Sequence, residues 1–338
     1  MPETIHSTVA LLASAGDAVT GSDVLGVVVR AVCVVGAFLV LPLVVGQTEH
    51  KVMAHMQGRL GPMYAGSYHG WAQLVADGIK FAQKEDVLPA AADPWIFRIA
   101  PAVSMVPYIV AMAAIPLSPS LVAADVPAGI LFVIAATGVG VLGGLIAGWA
   151  SGNKYSLLGG LRSAAQLLAY ELPLVLAACS FAMAAGTLSL VGVVDAWRPW
   201  WLLAQAPAAF VFLVAGIAEI QRPPFDMPLA DTELVVGPYT EYGGLRFALF
   251  LLSEYAGLVV VSGMFTVLYL GGWRGPWSGT LGPGWTLLKT LLVATVVIWL
   301  RVSWPRLRED QLQRLAWGVL VPVSLIQLAI TSVIVVTR

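Results

Sequence analysis

The chain has 338 residues, 59% of them hydrophobic and only 11% charged, with a formal net charge of −1 and a mean hydropathy of +0.85. Soluble domains carry about 25% charged residues, so a surface this poor in charge excludes water as the sole solvent and requires lipid. The near-zero balance also removes a nucleic-acid partner argued from basicity.

The first 23 residues lack a basic stretch and contain Asp17 and Asp23, so they do not read as a cleaved signal peptide. A helix needs about 20 apolar residues to cross the hydrocarbon. Eight such spans are predicted, near 24–46, 99–119, 127–149, 168–190, 199–218, 247–270, 284–300 and 315–336, giving an all-α polytopic membrane protein. The seventh is interrupted by Lys289, close enough to its end for the amine to snorkel. The loops at 47–98, 150–163, 219–246 and 301–314 then share one side and hold thirteen Lys or Arg, against three opposite (Arg198, Arg274 and Arg338). This asymmetry predicts that the four loops face the cytoplasm, or the equivalent compartment, and both termini the opposite side of the membrane.

Along the chain, Gln73, Asp77, Lys80 and Lys84 form one polar helical stripe opposite Trp71, Leu74, Val75 and Phe81. That predicts an amphipathic helix at the membrane surface or beneath a partner protein. Gly138-x-Gly140-x-x-Gly143 matches the dinucleotide fingerprint by letter, but it lies inside an apolar span, where small residues serve close helix packing. Cys33 and Cys179 have no metal-binding spacing and read as packing residues. His50, His55 and His69 form no pattern that suggests a metal site.

Two acids, Glu171 and Glu254, fall within spans. Ionisable groups there mark proton routes, or else they sit near helix ends paired with Arg162 or Arg246. The loop 219–246 holds Glu219, Asp226, Asp231, Glu233 and Glu241, and Pro223, Pro224, Pro228 and Pro238 keep it irregular. It reads either as a solvated acidic loop or as proton access to the span bearing Glu254. Arg301, Arg306, Arg308 and Arg314 crowd the last loop, suited to lipid headgroups or a soluble partner.

Four blocks carry a resemblance to a known family: TEHKVMAHMQGRLGP at 48–62 with ADGIKFAQKE at 76–85, GWASGNKYSLLGGLRSAAQLLAYE at 148–171, AEIQRPPFDMPLADTELVVGPYTEYGGLRFALFLLSEYA at 218–256, and WLRVSWPRLREDQL at 299–312. The sequence resembles the family of quinone-chamber membrane subunits of proton-translocating NADH:quinone oxidoreductase, respiratory complex I. The resemblance implies a quinone chamber over the loops, anchored by Glu49, His50, Arg59, Lys80, Glu85, Arg222 and Asp226. It implies a proton path through Glu171, Glu219, Asp231, Glu233, Glu241 and Glu254. It also implies that quinone is bound here as substrate with neighbouring subunits, and that this chain carries no redox centre. FMN and iron–sulfur clusters would sit on partners: the cluster-bearing and quinone-site subunits of a peripheral arm, with small membrane subunits alongside. The chain departs from the family at His50, His55, Leu60, Ile220, Gln221 and Leu229, and has Asp231 for a usual Glu. The homologous subunit of an energy-converting hydrogenase is the nearest alternative, and a stand-alone transporter the next.

Overall fold

The computed structural model describes residues 24–337, and every regular element among them is helical. The leader reading of residues 1–23 and the outside placement of Arg338 lie outside the described residues. Helix α1 (Val24–Met56) runs through Pro42, and the chain turns at Gly58, where φ is +69°. The exposed loop helix α2 (Gln73–Gln83) follows, with no buried residue. Asp93 caps α3 (Pro94–Ala114) by accepting from the N–H groups of Trp95 and Ile96. Next come α4 (Gly129–Ala150) and α5 (Lys154–Ala185), the latter capped by Asn153 and stopped at Gly186, whose left-handed backbone suits glycine. Short helices α6 (Leu190–Ala196) and α7 (Trp201–Ala204) lead to α8 (Ala206–Glu219). The acidic loop contains only α9 (Asp231–Leu234) and a 3-10 turn, Gly237–Tyr239. The chain ends with α10 (Gly244–Leu268), α11 (Ser278–Ser303) and α12 (Glu309–Leu315), the last continuing through a π turn into α13 (Val321–Val336).

Seven of these stretches, α12 and α13 counted as one, are long and apolar enough to cross a membrane, and α8 is a shorter apolar helix. The polytopic helical class expected from composition is therefore what the chain forms. Its helices differ from the expected spans at their ends. The 199–218 stretch is broken at Gln205, because Pro207 in the first turn of α8 has no N–H to continue α7. At the break the Gln205 backbone N–H donates to Trp201 O at 2.8 Å, while its side-chain amide donates to Thr331 at 2.9 Å and accepts from Gln327 at 3.1 Å. On the loop face, α1 continues to Met56 and α5 begins at Lys154; neither added stretch contains a proline, and α5 passes through Gly159 and Gly160, which pack against Pro238 and Gly148. Glu49 and His50 therefore ride on the last turns of α1, where a loop was expected.

The glycine-rich stretch of α4 is a packing face. A Cβ at Gly143 would come 2.6 Å from Ser104 Cα on α3, and one at Gly140 2.9 Å from the Tyr108 ring. Gly148 lies against the Ser156 carbonyl and Gly160 of α5. At the opposite end of the bundle, Lys289 donates to the carbonyls of Leu270, Gly272 and Arg274 at 2.7–2.8 Å. The amine thus reaches the turn before α11, consistent with a lysine that snorkels to the end of its helix.

Gly143→Ala should separate α3 from α4, whereas Gly36→Ala on α1, with nothing within 4 Å, should not. Overpacking costs about 1–3 kcal/mol, so the first variant should lower the melting temperature of the detergent-solubilised protein and the second leave it in place. Equal melting curves for the two would remove the packing account of this glycine face.

Candidate functional site

Arg222, at the start of the acidic loop, and Glu49 are the most buried charged residues among the described residues, each 1% exposed. The Arg222 Nη1 donates to Glu49 of α1, and its Nε donates to Glu254 of α10 at 2.9 Å. The other Glu49 oxygen accepts from Arg301 at the end of α11. The guanidinium also lies 4.7 Å from the centre of the Tyr255 ring. Burial opposes the Arg222 charge, but the Glu254 and Glu49 carboxylates outweigh it and hold the guanidinium firmly protonated. The partners weighed from sequence are engaged elsewhere: Arg162 pairs with Glu233, and Arg246 with Asp86, each at 2.8 Å. Arg301, grouped from sequence with the loop arginines, is turned inward to Glu49.

Behind this cluster lies a cavity of about 40 Å³, walled by Ser104, Tyr108, Glu219, Tyr239, Ser253 and Glu254 among others. Its wall mixes these polar groups with apolar side chains such as Val141, Leu229 and Phe250, and it has room for water. Glu219, 3% exposed, ends α8 beside Thr137 of α4, whose hydroxyl donates to the Ile134 carbonyl at 2.9 Å. One residue further along α4, Gly138 faces the Glu171 carboxylate of α5, whose Oε1 would lie 3.2 Å from a Cβ there. Glu254 and Glu219 thus share one cavity, and Glu219 and Glu171 approach α4 at consecutive residues.

The acidic loop is held from several sides. Buried Gln166 of α5 donates to the carbonyls of Ala218 (2.7 Å) and Phe225 (2.9 Å), and Gln221 donates to Ser163. The Leu307 N–H donates to Pro224 O at 2.9 Å, and Asn153 donates to Glu241 at 2.6 Å. Gln221, Ala230 and Val235 are left at positive φ, an uncommon backbone that persists where its surroundings over-determine it. Half-exposed Glu233 takes a hydrogen bond from Arg162 and lies 3.5 Å from Arg306. Together they hold its carboxyl below the usual carboxylate range.

Of the residues expected in a chamber, Glu49 and Arg222 meet. The others spread over the loop face. Arg59 is exposed and donates to Gln57 at 2.8 Å, and Lys80 is exposed beside Asp77 at 3.7 Å. Glu85 is exposed, while His50 and Asp226 are half-buried. Asp231 opens α9, and its side chain lies outside the described residues. Sequence reasoning missed Arg301 as a partner of Glu49, Gln166 as the loop's anchor, and Thr137, Tyr108 and Tyr239 beside the acids. The only signal for the first two was that both lie within the blocks of family resemblance.

The family model described as NADH dehydrogenase matches residues 29–332. The H subunit of NADH-quinone oxidoreductase from Geobacillus kaustophilus is 43% identical over 289 residues, covering 85% of this chain and 87% of that protein. The proteins of the same name from Bacillus mycoides and Bacillus cereus are 44% identical with the same coverage. With a match across most of its length and relatives at this identity, the chain belongs to the NADH dehydrogenase family, together with the H subunits of NADH-quinone oxidoreductases.

Proposed function

We propose that this chain is the non-redox membrane subunit of a proton-translocating NADH:quinone oxidoreductase. It binds quinone on its loop face, at the junction with a peripheral arm that carries FMN and iron–sulfur clusters, and couples quinone reduction to proton movement. The observation that carries this reading is the sharing of Arg222 between Glu49, on the loop side, and Glu254, on the cavity side. Quinone reduction consumes two electrons and two protons, so the charge beside the loop face changes at each turnover. A change of field there redistributes the guanidinium between its two carboxylates. When Glu254 is relieved of its cation it can take a proton in exchange, and the cavity leads that proton to Glu219 and then to Glu171. The names of the relatives favour this reading over a hydrogenase subunit, and family membership leaves a stand-alone transporter without support.

The loop face is assigned to the cytoplasm. Its support is the thirteen-to-three distribution of Lys and Arg. It is also supported by the way the four loops bind one another, through Arg246–Asp86, Asn153–Glu241, Arg306–Glu233 and Arg301–Glu49. Reporters fused within 226–232 should read cytoplasmic and those within 120–126 external; the reverse pattern would remove the orientation.

Arg306 and Arg308 also lie on this face, Arg306 3.5 Å from Glu233 and Arg308 82% exposed beside Asp310. Reversing both to Glu should loosen the peripheral arm without preventing membrane insertion, read as arm subunits lost from washed membranes. An arm that stays bound at ordinary salt assigns these arginines to lipid headgroups.

Glu254→Gln and Glu171→Gln keep shape and much of the hydrogen bonding but cannot titrate. Each should leave the complex assembled while slowing quinone reduction and proton pumping by about a hundredfold, the lower end of the effect of losing a positioned proton carrier. NADH oxidation by an acceptor that bypasses quinone should be unchanged. Assembled variants that pump at wild-type rate would falsify the proton-path assignment.

A further inference from the structure

The path from Glu254 to Glu219 crosses a cavity whose polar wall is mostly hydroxyl. Two of these hydroxyls have their protons committed. Ser253 Oγ lies 2.8 Å from the Phe250 carbonyl and donates to it, so in the 2.9 Å contact between Ser104 and Ser253 the donor is Ser104. The remaining two, on Tyr108 and Tyr239, form no hydrogen bond to other described residues, yet both residues line the cavity with the acids. Their rings are fixed. Tyr108 is clasped between glycines of α4 and α10: a Cβ at Gly140 would lie 2.9 Å from the ring, and one at Gly257 would lie 3.2 Å away. Tyr239 packs on Phe250 with ring centres 4.3 Å apart, and its hydroxyl would lie 3.1 Å from a Cβ at Gly144. Phenylalanine would fill both ring sites equally well, so packing does not account for the hydroxyls. Burial raises the pKa of Tyr239, a loop residue, so it carries its proton throughout.

We infer that the hydroxyls of Tyr108 and Tyr239, with water in the cavity, relay protons between Glu254 and Glu219. This rests on the reading of those two acids as members of the proton path. In each transfer the phenol oxygen accepts a proton from the water or carboxyl on the Glu254 side. It releases its own proton toward Glu219, and rotation about the C–O bond resets it. One O–H bond forms as another breaks, and no phenolate is left behind. Tyr239 belongs to the acidic loop and Tyr108 to α3, so the relay is complete only while the loop is seated on the bundle.

The test uses the intact complex reconstituted in liposomes, carrying Tyr108→Phe, Tyr239→Phe, both together, or Glu254→Gln as a parallel control. Quinone reduction, pH-gradient formation and the solvent deuterium isotope effect are measured per amount of assembled complex. The double variant should lose about tenfold in pumping rate, less than loss of a general acid–base because water can partly replace a hydroxyl. Its isotope effect should rise as proton transfer becomes limiting, with each single variant intermediate. If Glu254→Gln is impaired while the double variant matches wild type in rate and isotope effect, the relay is wrong and the acid path stands. A slowed double variant with an unchanged isotope effect assigns the hydroxyls to packing and also overturns the relay. If Glu254→Gln itself pumps normally, the underlying path fails, and the relay with it.

Discussion

A guanidinium that is 1% exposed has lost nearly all of its water, and the rest of the loop face is arranged around replacing that solvation. Burying an ion costs several kcal/mol, and an uncompensated one is destabilising by about 3–5 kcal/mol. Two carboxylates and an aromatic face therefore have to converge on Arg222 from different parts of the chain. Glu49 can do so because α1 runs on past the apolar stretch. Glu254 can do so because α10 begins early enough to place its third turn beside the loop. Glu49 in turn requires a second cation, which Arg301 provides from the end of α11. Two cations and two carboxylates form a set of zero formal charge, the condition under which such a cluster persists in low dielectric.

Irregular backbone beside the hydrocarbon is tolerated only where protein satisfies its polar groups. The acidic loop meets that condition through Gln166, Ser163, Asn153 and the Leu307 amide. Apolar packing makes the same arrangement possible. Gly140, Gly143 and Gly144 let α3 and the loop's Tyr239 approach α4 closely, and that approach encloses the cavity. The small-residue face and the charged cluster are thus two requirements of a single assembly.

How much of this could be read from the sequence follows from the range of the forces involved. Partition between lipid and water acts residue by residue, so the helices and the basic asymmetry were legible from composition along the chain. The family blocks carried Glu49, Arg222 and Glu254 as separate positions. Their meeting could not be read, because it joins residues 173 positions apart on Glu49 and Arg222 and depends on how far α1 overruns the bilayer. Glu254 illustrates the limit. Sequence proximity favoured Arg246 as its partner, yet one turn of loop brings Arg222 to it instead and leaves Arg246 to Asp86. Tyr108 had no local signal at all. It sits in an apolar span, and only the two glycines that clasp it mark it as placed.

Glu254 belongs both to the charged set and to the cavity, and this double membership separates it from the other acids. Glu49 touches the cations, and Glu171 lies beside α4 at Gly138, apart from the residues that line the cavity. A change in the Arg222 cluster would therefore meet the proposed proton path at one residue. The cavity wall opposite is apolar where Leu229 stands, a position at which the family resemblance leads one to expect a carboxylate. Without an acid there, the distance between Glu254 and Glu219 is spanned by neutral groups. On the proposed path, such a gap would conduct protons only while its hydroxyls and waters stay aligned, so the relay depends on the seating of the acidic loop and of Tyr239 with it.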